Sequence, residues 1–249
     1  MPYDVPAFLL LFFSALLGGG LNAIAGGGTF LTFPSLTFVG LPLLEANATS
    51  TTALWPGSLS SAVTLRREWL SYGKQLWGWL FISLIGGLAG ALLLLRLSPD
   101  VLGRLFPYLL LTATLLFAFR SRLEQQRTPS APLPGWLQAL AIFAVAVYGG
   151  FFGGGIGILF MTTFSLLGMK GIHNANALKT LLASAVNGIS VGTFVVSGVI
   201  VWPAALVMVG GSVLGGYLGA RFARRIPAKA LRLTVIGIGL FLTVYFFLR

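Results

Sequence analysis

Few residues in this chain can do chemistry, and most of them are clustered. Asn22, Thr29, Asn47, Thr51, Thr52, Asn176, Thr180 and Asn187 are hydrogen-bonding side chains set in apolar sequence, and Lys179 places a cation a few residues into an apolar stretch. The acids Asp4, Glu45, Glu68, Asp100 and Glu124 all fall near the ends of apolar stretches or between them. A site with donors, one lysine and no carboxylate suits an anion, whereas a cation pump normally needs carboxylates inside the membrane. Other chemistries lack their parts. There is no cysteine, and His173 is a lone histidine, so neither a thiolate or histidine metal cluster nor a Ser-His-acid set can be assembled. The run Gly153-Gly154-Gly155-Ile156-Gly157 lacks the Lys-Ser/Thr of a phosphate-binding loop. No enzymatic activity, metal or cofactor is expected.

These polar residues adjoin two glycine runs. Gly26-Gly27-Gly28 is followed by Glu45-Ala-Asn-Ala-Thr-Ser-Thr51, and Gly153–Gly157 is followed by Asn174-Ala-Asn-Ala-Leu-Lys-Thr180. Shifting the numbering by 129 lays Gly26 on Gly155, Gly28 on Gly157, Asn47 on Asn176, Thr51 on Thr180, and Gly86/Gly90 on Gly215/Gly219. One offset serving three motifs indicates an internal duplication. Lys179 then has Ser50 as its mate, so the two halves of a shared site would be one charged and one neutral.

The elements that must position these residues are membrane helices. The chain is 57% hydrophobic and 8% charged, with mean hydropathy +0.93, against about 25% charged residues in soluble domains. Apolar segments of roughly 20 residues, enough to cross a hydrocarbon core, recur throughout. The excess of 16 Lys+Arg over 5 Asp+Glu lies in short loops, where it reads as a topology signal and not as a nucleic-acid surface. The opening Met1-Pro-Tyr-Asp4 lacks the basic start of a secretory signal, so the first apolar segment is expected to remain in the protein.

From Val5 to Gly40 the apolar run is too long for one crossing, and glycine clusters make poor helix interiors. Two short helices meeting near Gly26–Gly28 are predicted, and the same arrangement over Trp136–Met169 with its break at Gly153–Gly157. Ordinary spans are predicted over Ala46–Leu65, Lys74–Leu95 and Val101–Phe119, then Asn176–Ile200, Trp202–Ala220 and Ala228–Leu248. The expected organisation is a first transmembrane repeat over 1–120, a basic, proline-containing linker over 121–135 and a second repeat over 136–249.

Charge chooses the topology. If each broken pair counted as one crossing, the cations would divide 7 to 8, with Lys179 set aside. If each pair counts as two segments, 12 cations from Arg66 to Arg232 share one side against Arg96, Arg104 and Arg249. The positive-inside rule expects such asymmetry. The fold class is therefore read as an all-α integral membrane protein of two inverted-topology repeats, five segments each, the first two of each repeat short and broken at glycine-rich turns. Both termini are placed outside the cytoplasm.

Inverted repeats with broken helices are a transporter architecture, with substrate near the midplane where the half-helices meet. Helix N-termini there offer free N–H groups and partial positive charge to an anion. Structural roles compete with this reading. Gly86/Gly90 and Gly215/Gly219 have the small-xxx-small spacing of close helix packing, and single Asn or Thr residues often act as interhelical glue. Lys179 is long enough to snorkel to the interface, and Trp55, Trp69, Trp77, Trp79, Trp136 and Trp202 read as interface anchors.

The motif set of Gly26-Gly-Gly-Thr-Phe-Leu31, Pro34 and Glu45–Thr51, repeated in weaker form at Gly153–Gly157 and Asn174–Thr180, resembles the TauE/SafE family of bacterial membrane proteins over essentially the whole chain. That resemblance implies export of sulfite or small organosulfonates. The resulting expectation is a secondary transporter in the bacterial inner membrane, exporting a small sulfur-containing anion by alternating access. Its expected substrate-binding set is Gly26, Gly27, Gly28, Thr29, Asn47, Thr51, Gly155, Gly157, Asn176, Lys179 and Thr180. An anion channel would share the donors and the lysine, and a membrane scaffold without transport would show closed packing at the breaks. The expected partners are the small anion and the lipid bilayer. A homo-oligomer is left open, because lipid-facing and partner-facing apolar surfaces look alike in sequence.

Overall fold

The computed structural model describes residues 4–25, 27–125, 134–169 and 172–222, and in the C-terminal segment 236–237, 239–241, 243–245 and 247. All regular structure among them is helical. Helix α1 (Val5–Ala25) ends at the first glycine run, and α2 (Thr29–Phe38) begins beyond it. Then come α3 (Leu43–Thr64), the short α4 (Arg66–Leu70), α5 (Lys74–Arg96) and α6 (Pro99–Gln125). The second half repeats the pattern with α7 (Gly135–Phe151), α8 (Ile156–Leu166), α9 (Ile172–Ser197) and α10 (Trp202–Phe222). Three helical windows, Val5–Asn22, Lys74–Arg96 and Asn174–Ser197, are long and apolar enough to cross a membrane.

The breaks fall where expected, and they differ in detail. Of the helices that flank the breaks, α2 and α8 are the short ones, at 10 and 11 residues, while α1 has the 21 residues of a full crossing. Helix α6 runs on to Gln125, into the sequence read as linker; residues 126–133 lie outside the described set, as does most of the predicted span Ala228–Leu248. Helix α4 is an addition to the expected segments.

The repeat register also drifts across the break. The N-caps of α2 and α8 are Gly28 and Gly155, which gives a local offset of 127. The left-handed glycines that end these helices, Gly40 and Gly168, give an offset of 128. Further on, the Trp55 indole N–H donates to the carbonyl of Ser184, its mate under the sequence offset of 129, at 3.0 Å. Sequence identity within glycine runs cannot detect so small a slip, because every glycine matches every other.

Helices of opposite halves interleave. Helix α1 packs along α10, α7 along α5, and α3 against α9. Glycines permit the first two contacts: a Cβ on Gly215 would fall on the Leu16 carbonyl, and one on Gly90 on the Val147 carbonyl. Phe12 and Leu16 meet Gly211 and Gly215, and Phe143 and Val147 meet Gly86 and Gly90. Ascending numbers pair with ascending numbers, so α1 runs parallel to α10 and α7 parallel to α5. The α3/α9 pair runs the other way. Thr49, near the start of α3, accepts from the Val201 N–H just beyond α9, whereas Trp69 and Tyr72, past the end of α3, pack beside Ala175 and Leu178 at the start of α9.

One apolar cluster fills the end of the molecule remote from Arg66. Phe33 stacks on Phe106 at 5.0 Å, and Phe152 meets both rings edge-on. A second cluster around Phe160, Phe164, Leu178 and Trp79 fills the other end. Trp79 is buried, so it is a core residue and not an interface anchor, while Trp77 and Trp136 are well exposed.

Candidate functional site

The site is built from the two breaks and the helices that follow them. At the second break, Gly153 and Gly155 both adopt positive φ, +75° and +78°, a backbone region in which residues other than glycine are strained. Gly155 then caps α8, and the carbonyl of Gly155 takes the Ile158 and Leu159 N–H groups. At the first break Gly28 serves by size: a Cβ there would stand 2.6 Å from the Gly18 carbonyl oxygen. Both turns thereby bring a half-helix N-terminus to a common space.

That space is a cavity of 690 Å³. Thr29 opens α2 on its wall; Gly153, Ile156 and Gly157 bring the start of α8; Thr51 comes from α3; Asn176, Lys179, Thr180 and Asn187 come from α9. Its mouth is formed by Ser58, Ser60, Ser61 and Thr64 of α3, Leu65 just beyond it and Tyr217 of α10. These residues precede Arg66, Arg67 and Arg221, so the cavity opens toward the end where the cations concentrate. Among the described residues Lys179 is the charged side chain on the wall, and no carboxylate lines it. Its stem lies along the first turn of α8: a Cβ on Gly157 would be 3.5 Å from Lys179 Cδ and 3.8 Å from Nζ.

The expected site residues divide. Thr29, Thr51, Gly157, Asn176, Lys179 and Thr180 line the cavity together. Gly28 and Gly155 shape its turns, Gly27 is buried beside them, and Gly26 lies outside the described residues. Asn47 is 1% exposed and off the wall, one helical turn beyond Thr51, with its amide N–H donating to the Phe151 carbonyl at 3.0 Å.

The cavity also holds residues that the expected set omits. Asn22 and Asn187 line it, and the Asn187 Oδ1 is buried with no hydrogen-bond partner. Ser212 donates to the Ala53 carbonyl from the facing helix α10. Ser212 was legible as a hydroxyl inside an apolar helix with Ser83 as its repeat mate. The hydroxyls of the mouth carried no comparable signal, since nothing in their spacing tells a cavity-facing serine from a lipid-facing one.

An interleaved helical bundle with paired broken helices around a cavity that carries Lys179 on its wall is the architecture of a polytopic membrane protein. Comparison gives the family: the model for "Sulfite exporter TauE/SafE" matches residues 11–246, and the chain belongs to that family. It is 29% identical over 232 residues to the "Probable membrane transporter protein ORF9" of Sinorhizobium sp, covering 92% of this chain and 89% of that one. Against the "Probable membrane transporter protein YfcA" of Escherichia coli K12 it is 30% identical over 230 residues, covering 91% and 84%. A Haemophilus influenzae "Probable membrane transporter protein" is 29% identical over 225 residues, covering 89% and 87%. No solved structure matches.

Proposed function

We propose that this protein is a secondary transporter that exports a small sulfur-containing anion, sulfite or an organosulfonate, across the bacterial inner membrane by alternating access. The observation that carries this reading is the cavity itself, where Lys179 and the N-termini of two half-helices meet amide and hydroxyl donors without a carboxylate. Lys179 and the α2 and α8 N-termini offset the anion's charge, and Asn176, Thr180, Thr51 and Thr29 replace its water shell. The family's description supports the sulfur oxyanion, and the relatives' names support transport.

Helix directions support two inverted repeats. Helix α3 ends and α5 begins at the Arg66 end, whereas α9 ends and α10 begins at the other, so α5 and α10 run oppositely. Since α7 follows α5 and α1 follows α10, the first helices of the two halves are also opposed. With the basic end cytoplasmic, the cavity is inward-open and both termini lie outside. Each negative charge leaving an inside-negative cell gains about 2.3 kcal/mol per 100 mV, so export needs no coupling cation.

Thermal shift of the purified protein with sulfite, sulfoacetate, sulfate and chloride tests the site. Stabilisation by a sulfur oxyanion, lost in Lys179→Ala, is expected. Absence of stabilisation by every anion would remove the anion-site reading.

A further inference from the structure

The two halves of the molecule are not in the same conformation, and the differences come in matched pairs. Asn47 and Asn176 are repeat mates in the duplicated sequence. Asn47 is buried at the floor and caps the Phe151 carbonyl, at the C-terminal end of α7. Asn176 is half-buried and lines the cavity on the mouth side. The α5–α9 contact is tight: a Cβ on Gly87 would stand 3.2 Å from the Val186 Cα. Its mate contact, Gly216 against Gly57, is splayed. Gly57 has no heavy atom within 4 Å of such a Cβ, Gly216 meets only the Gly19 carbonyl at 3.9 Å, and both line the cavity. Ser212 donates to the Ala53 carbonyl, while the hydroxyl of its mate Ser83 is buried without a partner. A buried orphan hydroxyl costs stability unless another state pairs it.

We propose that Asn47 and Asn176 are reciprocal gate residues. In the present state Asn47 seals the far end by capping the last turn of α7. In the alternate state Asn176 seals the mouth by capping the corresponding carbonyl at the end of α1, that of Ile24 in the register that the N-caps of the two breaks share. There Gly216 closes on Gly57 as Gly87 now closes on Val186, and Ser83 gains the Leu182 carbonyl as Ser212 releases that of Ala53. Each state thus keeps one asparagine cap and one serine bond, so the exchange conserves hydrogen bonds. This inference rests on the alternating-access reading.

The chain contains no cysteine, so single-cysteine reporters need no prior engineering. Ser61→Cys reports the exposed mouth, and Ser190→Cys reports its mate, which is 1% exposed. Both are labelled with a membrane-impermeant maleimide in vesicles of each orientation. Asn47→Ala is expected to raise Ser190→Cys labelling from the far face by roughly five- to tenfold, the effect of one buried hydrogen bond, and to lower Ser61→Cys labelling. Asn176→Ala is expected to do the reverse. A Gly57→Cys/Gly216→Cys pair should form its disulfide more slowly in Asn176→Ala, a half-exposed position whose replacement spares the buried floor.

If the two reporters react from opposite faces, but the asparagine variants leave them unmoved or shift both in one direction, the gate is overturned and alternating access stands. If Ser190→Cys never reacts and no disulfide forms in any background, the gate falls together with alternating access. Anion stabilisation through Lys179 is measured separately from both.

Discussion

Among the described residues, the charge on the cavity wall is that of one side chain. Lys179 occupies the place where the other half has Ser50, and Ser50 is fully buried against Thr32, its hydroxyl 2.6 Å from that of Thr32. Among the described residues the cavity wall therefore carries a cation on the α9 side, and the matching place in α3 holds a buried hydroxyl. Lys179→Arg is expected to retain anion stabilisation with altered selectivity, because a planar fork replaces a point charge; ligand-dependent thermal shifts across the four anions measure this. At the break, Gly155 holds φ +78°. Gly155→Ala is expected to destabilise the protein by about 1–2 kcal/mol and to weaken anion binding by tilting α8.

Among the elements, glycines separate packing surfaces from open ones. Gly90→Ala and Gly215→Ala each drive a methyl into a neighbouring helix backbone and should cost about 1–3 kcal/mol. Gly103→Ala, in α6 with nothing within 4 Å of the added Cβ, should instead be neutral or stabilise by about 0.4–1 kcal/mol. Melting temperatures of the three variants in one detergent check the order. Trp55→Phe deletes the bond to Ser184 that ties α3 to α9, and a loss of about 1 kcal/mol is expected.

Among the described residues, helices of the two halves interleave, with aromatic packing at the end remote from Arg66 and the cavity toward the other. If the basic end is cytoplasmic, reporters fused at either terminus should be active only when they fold outside the cytoplasm. Anion efflux from vesicles should accelerate as the inside is made more negative, and it should persist with proton and sodium gradients collapsed. A strict requirement for either gradient at clamped potential would overturn the uniport reading. In sequence, one offset of 129 between the glycine and Asn-Ala motifs indicates a duplication, although the N-caps Gly28 and Gly155 of the two breaks stand 127 apart. Both breaks were legible because glycine runs interrupt otherwise continuous apolar sequence.

By itself, the sequence determined the membrane class, the two breaks, the family resemblance and the group of donors around Lys179, since each depends on composition, local backbone preference or linear spacing. The tertiary structure decided which of those donors share a cavity. Thr51 and Asn47 sit one turn apart on α3, yet Thr51 lines the cavity and Asn47 is buried off its wall, bonded to the Phe151 carbonyl. That difference comes from where α7 ends against α3, a contact between residues 104 positions apart. It also decided the register across the breaks, where identical glycines hide a short slip, and that the α5–α9 contact at Gly87 is tight while Gly57 and Gly216 face the cavity. Both depend on contacts between residues far apart in the chain, which linear spacing does not encode.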